Sequence, residues 1–382
     1  MSAGGRIRIS AHIGAGLLAI ALAGCVIGAP TAPVQVPASH GQLNLCTGAP
    51  ALPPNNLASN PNYVEFSVDV IDSTGAPTIG LAQSDFVATE NDRPVPIAYF
   101  RAEQDRPPVA IGILVDKSGS MVTKLPVVSA SVDALLPKLD ACDEVMLYAF
   151  GMDPIVVQDF TTDHALAAER LKLIGAWGGT PFYDGVSQGI ARLDASHYPD
   201  RVAIIFTDDA PGLLGSPSLD NGSTIATRNG IVNSALNSQS RFFVVGVGKP
   251  DAKQFPIGIG IGPWAIGSAP NGVGAADLKT LATDLQGEFY LIAAEPDENA
   301  PKVKVQPRDT GGVEATPSYY PLAADPGEIE QFATALASQI DRHYTIGLIT
   351  SGPAATNHIT IKASRGNART TFHQIKVTSA TP

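Results

Sequence analysis

Val109-Ala110-Ile111-Gly112-Ile113-Leu114-Val115-Asp116-Lys117-Ser118-Gly119-Ser120 sets a near-continuous apolar run directly against an Asp-x-Ser-x-Ser turn. A run this apolar reads as a strand covered on both faces, the pattern of a parallel sheet with helices above and below. Working outward, Glu144–Phe150, Val202–Phe206 and Phe242–Val247 repeat the pattern, and Ile155–Phe160 reads as a short edge strand. Helical periodicity falls between them, over Leu125–Lys138, Ala165–Ile174, Asp184–Leu193, Ile225–Ser238 and Ala276–Leu285. Pro126 suits a first helical turn, and Thr162 or Asp163 is placed to cap the helix that follows. Alternating strands and helices predict an α/β fold with a doubly wound, mostly parallel sheet.

In such a sheet, residues just past different strands converge on one crevice. Asp116, Ser118 and Ser120 follow the first strand; Thr180 follows Gly178-Gly179; Asp208 follows Val202–Phe206 and Thr207. Together they offer five hard oxygen side chains, the donor type preferred by Mg²⁺, with Mn²⁺ or Ca²⁺ as the other candidates. Two carboxylates balance a divalent charge, and neutral hydroxyls add coordination without repulsion. Gly119 allows the backbone a compact turn. Taken alone, Asp, Ser and Gly after a strand are ordinary turn formers; it is the ordered set that points to a metal.

This arrangement resembles the von Willebrand factor type A domain with its metal-ion-dependent adhesion site, over about Pro107 to Tyr290, and Met121 after the serines also fits its bacterial members. The resemblance implies that the serines and Thr180 ligate the ion directly or nearly so, that the aspartates often act through water, and that an acidic ligand completes the shell. One departure is Asp209, where the family often has Gly; this extra carboxylate is a possible neighbour of the metal.

Arg6 and Arg8 precede an apolar stretch from Ile13 to Ala23, followed by Leu22-Ala23-Gly24-Cys25. This looks like a bacterial lipoprotein signal, residues 1–24, cleaved before an acylated Cys25, and the stretch is short for a membrane span. It predicts a lipid-anchored protein of the bacterial envelope, on the outer membrane where the organism has one, because Val26 does not resemble the usual inner-membrane retention signal. Residues 25–61, rich in Pro, Ala and Asn, read as a tether. Cys46 and Cys142 are then the possible disulfide pair, with an unpaired buried Cys142 as the alternative.

Tyr63–Val70 alternates with period two, and Phe86–Thr89 and Ile97–Phe100 add short strands, giving an N-terminal β segment over residues 62–105 ahead of the main domain at 106–294. After a linker at 295–326, residues 327–382 contain a helix near Ile329–Ile340 and strands at His343–Ile349, His358–Lys362 and Thr371–Val377. The N-terminal strands alone make a poor sheet, so the late strands are expected to join them in a smaller β-sandwich-like domain.

The 382 residues are 44% hydrophobic and 16% charged, enough for a substantial core, and a net charge of −11 without a basic stripe argues against nucleic acid as a partner. Gly258-x-Gly260-x-Gly262 has the wrong spacing and context for a dinucleotide site, and Gly248-Lys249-Pro250 lacks the rest of a phosphate loop. His164, His197, His343, His358 and His373 show no paired metal spacing, and Ser118 has no recognisable base, so no enzyme is expected. Lys249–Gly274 leaves the sheet at the metal edge; it either helps to choose the ligand, with Trp264 as an apolar contact, or is a mobile surface insertion or one packed on the β domain. The reading is an envelope lipoprotein that binds an acidic side chain of a protein partner through a divalent ion. The alternatives are an assembly lipoprotein whose ion only stabilises loops, and a metal-assisted hydrolase.

Overall fold

The computed structural model describes residues 57, 59–73, 78–102, 107–198, 200–208, 227–238, 240–249, 274–304, 318–341, 343–352 and 358–373. The chain enters through β1 (Tyr63–Ile71), β2 (Phe86–Glu90), β3 (Arg93–Val95) and β4 (Ile97–Arg101). The main domain follows with β5 (Ala110–Asp116), α1 (Leu125–Leu135), β6 (Glu144–Phe150), β7 (Ile155–Thr161), α2 (His164–Leu171), α3 (Phe182–Leu193), β8 (Arg201–Thr207), α4 (Arg228–Ser238), β9 (Arg241–Gly248), α5 (Ala275–Asp284) and β10 (Glu288–Ala293). Two-residue strands β11 (Glu295–Pro296), β12 (Val303–Lys304), β13 (Ser318–Tyr319) and β14 (Leu322–Ala323) lead to α6 (Pro326–Asp341), β15 (Tyr344–Ile349), β16 (Ile359–Ala363) and β17 (Asn367–His373).

The main sheet has the order β10-β9-β8-β5-β6-β7 and is parallel except for the antiparallel edge strand β7. Alternate residues of β5 feed opposite cores. Ile111, Ile113 and Val115 pack with α1, α2 and α6, whereas Ala110 and Leu114 pack with α3, α4 and α5. Helix α1 buries Val127, Val128, Val132 and Leu135 along one stripe and keeps Pro126 in its first turn. It is shorter than the apolar pattern alone predicts: Pro137 cannot donate into an α-helix, and the chain tightens to a 3₁₀ turn over Leu136–Lys138. At α2 the cap is Asp163, whose side chain accepts from the Leu166 amide.

Helix α3 packs on the sheet through Gly185 and Gly189, which leave no room for a Cβ against Phe150 and Leu114. A Cβ at position 189 would sit 2.3 Å from Leu114 Cδ2. Gly189→Ala is therefore expected to lower stability by about 1–3 kcal/mol through overpacking. Helix propensity alone would stabilise by up to about 1 kcal/mol, so thermal unfolding decides by its sign which effect wins.

The flanks pair across the length of the chain. β1 lies between β15 and β17 in the four-stranded sheet β17-β1-β15-β4, and β16-β2-β3 forms a second, three-stranded sheet. Val64, Phe66, Val68, Phe86, Tyr344, Ile346 and Ile361 enclose the core of this β unit. Further details differ from the sequence reading. Strand β10 completes the main sheet although no sixth strand was expected. Strand β3 forms despite Pro94, which is tolerated because β3 is an edge. The last strand already begins at Asn367 rather than at Thr371, since the chain turns at Gly366 with φ 73° and is extended immediately afterwards; residues 374–382, with the rest of the expected strand, lie outside the described residues.

Candidate metal centre

Strand β5 is the pivot of the main sheet: the chain proceeds from it to β6 on one side and later returns to β8 on the other. The crevice past the carboxyl ends of β5 and β8 lies at this topological switch point, where open α/β sheets hold their ligands. Asp116 closes β5, and Asp208 directly follows β8, which ends at Thr207. Parallel pairing sets Val115 opposite Phe206, so Asp116 and Thr207 emerge level, and Thr207 Oγ1 donates to Asp116 Oδ2 at 2.8 Å.

The Asp-x-Ser-x-Ser turn folds back on its own carboxylate, with the Ser118 amide donating to Asp116 Oδ1 at 2.8 Å. Ser118 Oγ and Ser120 Oγ are 3.1 Å apart. A 3₁₀ turn over Gly119–Thr123 then leads into α1, with Met121 and Thr123 buried beneath it. The loop carrying Thr180 is stitched alongside: the Gly119 amide donates to Gly178 O and the Trp177 amide to Lys117 O, both at 2.9 Å. Gly178 has φ +75°, and a Cβ there would meet Met152 Cγ at 2.9 Å, so glycine is required by both conformation and space. Thr180 is half-buried at the entry to α3. Lys117 turns away from the carboxylates, pairing with Asp153 and placing Nζ 5.6 Å from the centre of the Trp177 ring.

Asp116 is fully buried and Asp208 is 2% exposed. Burial, reinforced by the Asp208 charge and opposed by hydrogen bonds from Ser118 and Thr207, pushes the Asp116 carboxyl up to about 7. A third charge completes the cluster. Lys124, with no exposed surface, donates from Nζ to Asp208 Oδ2. Lys124 was not singled out by the sequence reading. Its only trace there is a cation standing at the entry of an apolar helix.

Asp116, Asp208, Ser118 and Ser120 thus form one constellation, and the Gly119–Gly178 bond brings the Thr180 loop beside it. Among the described residues no group of three or more His, Cys, Asp or Glu side chains is assembled for a metal. The donor set here is instead two buried carboxylates with hydroxyls, which suits a hard divalent cation. Asp209, Trp264, Cys25 and Cys46 lie outside the described residues. Cys142 is disulfide-bonded. Among the described residues no helix is long and apolar enough to cross a membrane.

Residues 111–211, which span Asp116, Ser118, Ser120, Lys124, Thr180 and Asp208, match the family model described as the von Willebrand factor type A domain. No curated protein matches the chain. Among solved structures, the chain is similar to the conserved hypothetical protein BatB from Bacteroides thetaiotaomicron, at 19% identity over 48% of this chain and 90% of that one, with a TM-score of 0.35. The vWF domain of the type V pili tip protein Mfa5 from Porphyromonas gingivalis matches at 17% identity, covering 49% of this chain and 90% of that one, with a TM-score of 0.33. A von Willebrand factor type A protein from Catenulispora acidiphila matches at 14% identity over 82% of this chain and 72% of that one, with a TM-score of 0.36.

Proposed function

We propose that the von Willebrand factor type A segment of this chain holds a divalent cation, Mg²⁺ or Mn²⁺, and through it binds an acidic side chain of a protein partner. The observation that carries this reading is the pair of buried carboxylates, Asp116 and Asp208, set beside the Ser118 and Ser120 hydroxyls at the switch point of the sheet. Ser118, Ser120 and Thr180 are the direct donors in this scheme, with Asp116 and Asp208 balancing charge. Asp116 already accepts from Ser118 and Thr207, which fits a carboxylate that orients the shell. The ion would supply a short, directional contact for a carboxylate, and the surrounding loops would choose which one.

No covalent step is part of this function. Ser118 Oγ has Ser120 Oγ beside it, the neighbouring Asp116 carboxylate is assigned to charge balance at the ion, and Lys117 is engaged with Asp153. The reading in which an ion merely locks the loops is less well supported, because those loops are already tied by the Gly119–Gly178, Trp177–Lys117 and Lys124–Asp208 contacts. Acylation at Cys25 would tether the domain to the bacterial envelope, and the disulfide at Cys142 fits an exported chain.

The test is a Mn²⁺ titration of the full-length protein followed by thermal unfolding. An ion at one hundred times its dissociation constant stabilises by about 2.7 kcal/mol when it binds only the folded state. Ser120 is only half-buried, so Ser120→Ala should leave the metal-free unfolding temperature unchanged and raise the Mn²⁺ midpoint on the order of tenfold or more. Absence of any Mn²⁺ response in the unaltered protein, in acetate as well as in chloride, would remove the metal reading.

A further inference from the structure

We propose that Lys124 is a resident counter-ion of the metal centre, one that makes retention of the divalent cation conditional on an acidic ligand. The inference rests on the metal reading above and concerns how that site is regulated. Lys124 is among the largest fully buried side chains of the protein. Its position is fixed from both ends. Its amide donates to Met121 O at 2.9 Å, its carbonyl accepts from the Val127 and Val128 amides, and its ammonium reaches Asp208. Asp208 is held as firmly, its carbonyl accepting from the Gly274 amide at 2.8 Å.

Packing alone does not ask for a lysine here. The neighbouring interior of α1 is Val127, Val128 and Val132, and an apolar side chain would fill the same space without desolvating an ammonium. What the ammonium changes is the charge at the crevice. Two ionised carboxylates match a divalent cation, leaving a neutral centre with little pull on a further acid. With Lys124 counted in, the same centre carries one net positive charge once the cation is present. The bare site then holds a cation less tightly, and the cation together with a carboxylate is favoured over the cation alone. By linkage, cation and acid each strengthen the other's binding by the same factor.

The experiment measures Mn²⁺ affinity of the full-length protein by electron paramagnetic resonance, in chloride and in acetate at matched ionic strength, acetate serving as the probe carboxylate. Lys124→Gln keeps a donor toward Asp208 and removes the charge; Lys124→Arg keeps the charge. The expected result is that acetate tightens Mn²⁺ binding to the unaltered protein, that Lys124→Gln binds Mn²⁺ about tenfold or more tightly in chloride, as removal of a nearby like charge predicts, and that acetate then adds little. Lys124→Arg should behave as the unaltered protein does. Equal or weaker Mn²⁺ binding by Lys124→Gln with the acetate effect retained would overturn the inference while leaving the metal site standing. If neither protein binds Mn²⁺, the metal reading itself fails and the inference with it. If Lys124→Gln does not fold by circular dichroism, the unaltered protein still decides, since indifference of its Mn²⁺ affinity to acetate overturns the coupling.

Discussion

Asp116→Asn should make the metal-free protein more stable above neutral pH, by up to roughly 4 kcal/mol, while erasing its response to divalent cations. Burial first, and the Asp208 charge second, raise the Asp116 carboxyl from 3.8 to about 7 in the folded protein. A raised acid binds its proton more tightly folded than unfolded. Its contribution to stability is therefore fully present below the unfolded value of 3.8 and is lost as pH rises through about 7. At pH 8 the ionised carboxylate is a net burden of the roughly 4 kcal/mol that such a shift represents. Asparagine removes the charge and fits the same bonds: Oδ1 can accept from the Ser118 amide, and the side-chain amide can donate to Thr207 Oγ1 in place of the present reverse bond. Glu65, Asp69 and Glu144 are raised by burial too, but both proteins share them, so they cancel in the difference. Chemical unfolding in chelator from pH 5 to 8.5 should show the gap opening with pH and closing toward acid. Mg²⁺ should then stabilise only the unaltered protein. A gap independent of pH, or a Mg²⁺ response surviving the substitution, would contradict this account of Asp116.

The sequence spoke clearly at the end of β5. Asp, Ser and Gly after an apolar run suit an ordinary turn, and it is the later Thr180 and Asp208, in order, that set this run apart. The main sheet and the convergence of Asp116 with Asp208 followed from the periodicity of the runs and from parallel topology, both local signals. Lys124 was illegible because its meaning lies in a contact with Asp208 that the chain makes only once β8 is beside β5. Strand β10 is a different case: Phe289-Tyr290-Leu291-Ile292-Ala293 is a short, unbroken apolar run, so the strand was legible in the sequence although the expectation stopped at five strands. In β3, Pro94 hid a strand that pairs on one side only. The flanks were readable as unfinished sheets, but their register was not, because the β1–β17 pairing depends on where Gly366 turns the chain.

Arg241→Met should cost about 3–5 kcal/mol, the range for removing one partner of a buried ion cluster, although the substitution lies at the opposite end of the sheet from the metal centre. Arg241 opens β9, is 3% exposed, and joins three parts of the chain that are remote in sequence. Its guanidinium donates to Gln339 O at 2.9 Å and Ile340 O at 3.3 Å near the end of α6, where a cation also complements the helix dipole. The same group lies 3.5 Å from Asp200 at the entry to β8 and 3.9 Å from Asp69 on β1. His343 closes the far side, with Nε2 2.7 Å from Asp200 Oδ2 and Nδ1 facing Ile340 O at 3.1 Å. A carbonyl only accepts, so Nδ1 carries a hydrogen. Methionine would fill the volume but leave buried carboxylates undercompensated and helix-end carbonyls without their donor. Burial already raises Asp69 against the lowering effect of Arg241 and His343. Without the guanidinium it should take up a proton more readily still, so the loss in stability should shrink as pH falls toward 4. Guanidinium chloride unfolding at pH 7.5 and pH 4.5 tests both parts, and Asp69→Asn in the Arg241→Met background should restore part of the loss because the two residues share one cluster. A cost below about 1 kcal/mol, or one that does not change with pH, would mean that Arg241 acts there as an ordinary surface charge and that the two sheets are held by their apolar cores alone.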